Sequence, residues 1–171
     1  YPDFVVVDGA EGGTGAAPIE FADHVGLPLK DSLRLVHNTL VGIGKREDIK
    51  IGASGKVISA YDIAHNIAIG ADWCNAARAF MFSLGCIQSR SCHTDTCPTG
   101  VATQDFLRQK ALNVKDKSMR VKNFHKDTII HLAELMGAAG LETIDQISSD
   151  LIMIRNSKGE LVSLSTILPK I

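Results

Sequence analysis

No apolar run in this sequence approaches the roughly 20 residues that span a bilayer. Its longest runs are broken by glycine or charge, as by Arg78 within residues 76–84, which excludes a membrane anchor in this segment. An excess of either charge is also missing, since 18 basic and 19 acidic residues leave a net charge of −1 with neither sign gathered on a face. The electrostatic footprint of nucleic-acid or anionic-lipid binding is therefore absent, and small molecules or proteins are the expected partners. There is no basic-then-apolar leader: the chain opens on Tyr1-Pro2-Asp3 and enters a strand-like run at once, so it reads as an excerpt of a longer protein. Lacking a secretory signal, the four cysteines point to a reduced, cytoplasmic chain rather than to disulfides, the more so because three of them lie within twelve residues. There is no internal repeat.

What is present is 171 residues, 45% hydrophobic and 22% charged, enough for one globular core. Phe4-Val5-Val6-Val7 is a continuous run that suits a strand buried on both faces of a parallel sheet. Leu33, Val36, Leu40 and Ile43 recur at helical spacing, predicting a helix from Asp31 to about Arg46. A strand at residues 49–53, a helix capped by Ser59 and running to Gly70, a strand at residues 72–75 and a short helix from Arg78 follow. Crossovers this long between strands require parallel pairing. The class is α/β, either a doubly wound sheet or part of a (β/α)8 barrel, and in both the chemistry sits at the carboxyl ends of the strands. Beyond residue 104 the sequence predicts a polar stretch to Lys122, a helix from Phe124 to Ala139 closed by Gly140, and a hairpin of residues 151–155 and 160–164, all read as scaffold. The expected division is 1–84 for the sheet and helices, 85–104 for a cysteine loop, and 105–171 for an α+β tail.

Three loops carry the chemistry. Asp8, at the end of the first strand, is followed by the glycine-rich residues 11–18, whose Gly12 and Gly13 let the backbone approach a phosphate or flavin. An ordinary flexible loop explains these glycines equally well, because neither a P-loop ending nor a Rossmann spacing is present. Asp8 and Glu11 are each open between ligand contact and turn capping. Ser54-Gly55-Lys56 offers a hydroxyl, a close-approach glycine and a cation after the second strand, and Ala77-Arg78 opens the short helix after the third. A phosphate held between such loops is a recurrent barrel arrangement. Cys86, Cys92 and Cys97 place three soft thiols on one compact loop. An iron–sulfur cluster is the first reading and zinc, with His93 as a fourth ligand, the second; buried or incidental cysteines are the third. Cys74 falls inside a strand and reads as core, and the other histidines lack ligand spacing.

Residues 12–18 together with Gly85-Cys86-Ile87 and the run from Cys92 to Gln104 resemble the FMN-binding synthase domain of glutamate synthases. The resemblance covers about residues 3–104, and the remainder is similar to the tail of free-standing members of the family. It implies the C-terminal part of a (β/α)8 TIM barrel, strands six to eight, followed by the cysteine loop and tail. It also implies FMN, with its phosphate on Ser54, Gly55, Lys56, Ala77 and Arg78, and a 3Fe-4S cluster on Cys86, Cys92 and Cys97. The implied reaction reduces 2-iminoglutarate, made from 2-oxoglutarate and ammonia or glutamine-derived nitrogen, to L-glutamate. Ferredoxin or an NAD(P)H-oxidising protein is the implied electron donor. Asp8-Gly9-Ala10-Glu11 replaces the family's Ser-Gly-His-Asp, and Val6 stands at a family glutamine. A related amino-acid synthase, such as one making N-methylglutamate, is the nearest variant. A non-catalytic structural or zinc-binding fragment is the competing reading, because three strands cannot close a barrel. That leaves the catalytic residues unassigned, and an isolated chain is expected to be inactive and to need the rest of the barrel or self-association.

Overall fold

The computed structural model describes residues 1–12, 17–18 and 20–166. Strands β1 (Phe4–Asp8), β2 (Lys50–Ser54) and β3 (Trp73–Asn75) form a sheet in that order, joined by helices α1 (Leu29–Gly42) and α2 (Ala60–Ala68). Both pairings are parallel, as the long crossovers require. Val7, Ile51 and Ala53 project to one face, where they pack with Leu29, Leu33 and Leu40 of α1; Ile63 and Ala68 of α2 pack against the same cluster. Leu33 and Ile51 are fully buried.

The other face is open. Phe4 is 57% exposed and Val6 45% exposed, so the expectation of a first strand buried on both sides is not met. The physical reason is that both crossover helices pack on the Val7 face and, among the described residues, no layer covers the opposite one. On that bare face the Trp73 indole lies across Gly52, where an added Cβ would come within 2.5 Å of the ring. Phe4 meets the indole edge-on at 5.6 Å between centroids.

Several boundaries differ from expectation, each through a contact distant in sequence or a favourable solvated end. Helix α1 starts at Leu29 rather than Asp31 because the Glu11 carboxylate accepts the Leu29 N–H at 3.0 Å. Glu11 is therefore a helix cap. Helix α2 has the predicted Ser59 cap, completed by Asp62 as a reciprocal capping box. The polar stretch to Lys122 is not a linker: α4 (Phe106–Gln109) is followed by α5 (Val114–Ala138). Asn113 caps α5 and Asp116 pairs with Arg120 one turn on, so its first turns are helical while facing solvent. Further along, Phe124 of α5 packs edge-on at 5.2 Å against Phe80 of α3 (Arg78–Leu84), and Leu132 joins Ala60 and Ala64 of α2 in a second cluster. Gly140 closes the helix region at φ 72°, as predicted. The hairpin forms from β4 (Met153–Arg155) and β5 (Leu161–Ser163), and Ile152 and Leu164 beside it enter the main core.

At the amino ends of β2 and β3 the Arg46 guanidinium is tied to Asp72 at 2.8 Å, to the Gly70 carbonyl at 3.0 Å and to His37 Nδ1 at 3.1 Å. Asp72 Oδ2 also accepts the Ile51 N–H at 2.7 Å. His37 must be unprotonated at Nδ1 to accept from Arg46, and burial followed by the Arg46 charge pushes its pKa below the ordinary value. Burial does the same to His65, whose Nδ1 has no hydrogen-bond partner among the described residues. A histidine with a depressed folded pKa binds fewer protons than in the unfolded chain, so its contribution is intact above about pH 6.5 and is lost as pH falls below it. Thermal unfolding is expected to move to lower temperature between about pH 7 and pH 5, and His37→Gln to flatten that dependence. A pH-independent melting temperature over this window would contradict the assignment.

Candidate functional site

The carboxyl ends of the three strands lie level, with Asp8 paired to Ser54 and Ser54 to Asn75. Above them is a cleft of about 690 Å³. Its wall includes Asp8, Gly12, Ser54, Lys56, Ala77 and Arg78 from the predicted phosphate loops, and Cys86 and Cys92 from the cysteine loop. Gly55 lies beneath: a Cβ on Gly12 would come within 2.7 Å of the Gly55 Cα, so these two loops meet backbone to backbone. The Gly9 N–H donates to the Ser54 carbonyl at 2.8 Å, joining the same loops. Gly13 lies outside the described residues.

On one wall of the cleft two cations face a carboxylate. The Asp23 carboxylate lies 3.0 Å from Lys56 Nζ and 3.5 Å from Arg78 Nη1. The hydrogen bond from Lys56 outweighs desolvation and, with the charges of Lys56 and Arg78, holds Asp23 below the usual carboxylate pKa. Asp23 was not singled out by sequence reasoning. No motif marks it, and its partners are brought to it only by the fold.

Cys97 lies apart from the cleft lining, buried, with its sulfur 3.6 Å from the Thr99 hydroxyl. Burial raises its pKa, yet hydrogen bonds from Thr99 and from the N–H groups of Ala102, Thr99 and Val101 outweigh this and bring it to about 7. Such a nest of donors suits a thiolate. Asp95, at φ 61°, shapes the loop: its Oδ1 accepts the Gln104 N–H at 2.6 Å and the Thr103 hydroxyl at 3.0 Å, and its carbonyl accepts the same hydroxyl at 2.7 Å. Among the described residues no three His, Cys, Asp or Glu side chains converge as a finished metal-ligand set. The donor chemistry nevertheless fits a sulfur-ligated cluster, with two thiols on the cleft and a third in surroundings that favour its ionised form. Cys74 differs: burial pushes its thiol up to about 11, and it packs against the main core as predicted.

A parallel sheet with helices and a thiol-bearing cleft at its carboxyl edge makes this an α/β protein with its cleft at the strand ends where ligands of this fold class bind. Residues 1–142 match the conserved region in glutamate synthase, and the chain belongs to that family. It is 43% identical over 168 residues to the glutamate synthase large subunit-like protein YerD of Bacillus subtilis, covering 98% of this chain and 32% of that protein. To the archaeal glutamate synthase (NADPH) of Methanocaldococcus jannaschii it is 39% identical over 153 residues, covering 90% of this chain and 30% of that one. Against the glutamate synthase (NADPH) large chain of Bacillus subtilis the identity is 36% over 145 residues, covering 84% of this chain and 9% of the relative. The chain thus spans about a third of the first two relatives. No helix among the described residues is long and apolar enough to cross a membrane.

Proposed function

We propose that this chain is the FMN-phosphate and cluster-binding part of a glutamate synthase-type oxidoreductase. The observation that carries the reading is the joining of a Lys56–Arg78 anion wall with Cys86 and Cys92 around one cleft, in a chain of this family. When bound, FMN supplies hydride chemistry and a 3Fe-4S cluster supplies one-electron relay. Lys56 and Arg78 neutralise the flavin phosphate, the Ser54 hydroxyl donates to it, and Gly12 and Gly55 keep the floor of the cleft bare enough for close approach. Cys86, Cys92 and Cys97 ligate the cluster, while the donors around Cys97 favour its ionised form. The sheet, with Phe4 and Val6 bare on one face, forms strands six to eight of a (β/α)8 barrel whose other strands cover that face. In the full-length protein the reaction is reduction of 2-iminoglutarate, from 2-oxoglutarate and ammonia or glutamine-derived nitrogen, to L-glutamate. The electron donor is a ferredoxin or an NAD(P)H-oxidising protein, and the setting is the cytoplasm, where the thiols stay reduced.

The full-length protein carrying this chain, purified without oxygen, is expected to show flavin absorbance and a three-iron electron paramagnetic resonance signal. It is also expected to form glutamate from 2-oxoglutarate, ammonia and a reductant. A flavin-free, zinc-only protein contradicts the reading. Formation of N-methylglutamate with methylamine, in place of glutamate, reassigns the substrate but not the cofactors.

A further inference from the structure

We infer that Asp23 is a built-in counter-anion of the cleft, which a phosphate dianion must displace and which selects such dianions over singly charged anions. The inference rests on the reading of Lys56 and Arg78 as the phosphate wall. Its carrying observation is geometric: the Asp23 carboxylate lines the same cleft as Asp8, Ser54, Lys56 and Arg78, and lies within 3.0 Å of one cation and 3.5 Å of the other. It stands where an anionic ligand of those cations would be.

Three further features support displacement. Asp23 sits on a turn whose bonds among the described residues are local, Phe21 N–H and Ala22 N–H donating to the Pro18 carbonyl and His24 N–H to the Phe21 carbonyl. The turn can shift without breaking sheet or helix. Asp23 holds φ 72°, a left-handed conformation that Asp adopts more readily than most residues, so the carboxylate is placed by the turn and not by extended backbone. The pairs are substantially exposed, with side-chain exposures of 38% for Lys56, 37% for Asp23 and 27% for Arg78, so each is weak enough to exchange.

Selection follows from charge and tethering. A tethered carboxylate competes at an effective concentration on the order of millimolar. A free monoanion carries no more charge than Asp23 and does not win at comparable concentration, whereas a phosphate dianion has twice the attraction for the two cations. A flavin attached to that phosphate adds contacts of its own. Once displaced, Asp23 repels the bound phosphate less, because the turn carries it off the cations.

The test uses the full-length protein freed of flavin, titrated with FMN and with riboflavin, which lacks the phosphate. Asp23→Asn is expected to bind FMN about fivefold more tightly than the unaltered protein, with riboflavin unchanged. It is also expected to let acetate compete with FMN at concentrations that leave the unaltered protein unaffected. Lys56→Met is expected to weaken FMN more than tenfold and riboflavin little. If Asp23→Asn leaves FMN binding unchanged or weakens it while Lys56→Met still weakens it, displacement is wrong and the phosphate wall stands. If Lys56→Met has no effect and FMN binds no better than riboflavin, the phosphate wall itself is wrong. A measurement without substitution guards against misfolding: the Asp23 carboxyl carbon signal in nuclear magnetic resonance is expected to move on addition of inorganic phosphate, and indifference to saturating phosphate overturns the proposal.

Discussion

Cys97→Ser in the full-length protein is expected to remove the three-iron signal by more than tenfold while FMN stays bound. Loss of a direct ligand exceeds the roughly 10–100-fold cost of losing a supporting contact to a metal site. Cys97 is the thiol with the most developed surroundings, receiving hydrogen bonds from Thr99, Ala102 and Val101 that favour its ionised form. The proposed phosphate wall of Lys56 and Arg78 lies on other loops, which is why flavin content should survive. Cys74→Ala is the matching control. Its thiol is packed against the core and pushed up to about 11 by burial, so both cofactors should be retained. Retention of the three-iron signal in Cys97→Ser, measured under anaerobic conditions, removes Cys97 from the ligand set.

The second large effect concerns stability. Asp72→Ala is expected to destabilise the sheet by about 2–4 kcal/mol, somewhat less than removal of one partner from a fully buried pair. The discount reflects exposure, since the Asp72 side chain is 26% and the Arg46 side chain 16% exposed. Deleting the carboxylate leaves Arg46 without its charged partner and strips the Ile51 N–H of its acceptor. Asp72→Asn keeps a hydrogen-bond acceptor for Ile51 and should fall between the two. Hydrogen exchange at the Ile51 and Ala53 amides gives a local reading, with faster exchange expected in Asp72→Ala. Unchanged protection would show that the backbone pairing of β2 holds without this bracket.

Much of the molecule is legible in neighbouring residues. The β-branched run of β1, the helical spacing of Leu33, Val36 and Leu40, and the Ser59–Asp62 capping box each act over a few positions, so they can be read before any tertiary contact is known. The start of α5 escapes such a reading because its first turns are largely polar and their Val114 and Met119 are exposed. Apolar periodicity does not register a solvated helix that is instead held by the Asn113 cap and the Asp116–Arg120 pair.

The loops were legible as separate candidates, and the cysteine spacing already set apart Cys86, Cys92 and Cys97 from Cys74. That Asp8, Lys56, Arg78, Cys86 and Cys92 share one cleft is a consequence of the parallel register that brings Asp8, Ser54 and Asn75 level. Periodicity, capping and motif chemistry belong to the sequence itself because they depend on residues a few positions apart. The Glu11 cap on Leu29, the Arg46–Asp72 bracket and the Asp23 carboxylate between Lys56 and Arg78 were decided by tertiary structure alone. Their partners lie 18, 26 and up to 55 residues apart, and no local pattern encodes a pairing that exists only after the strands have come into register.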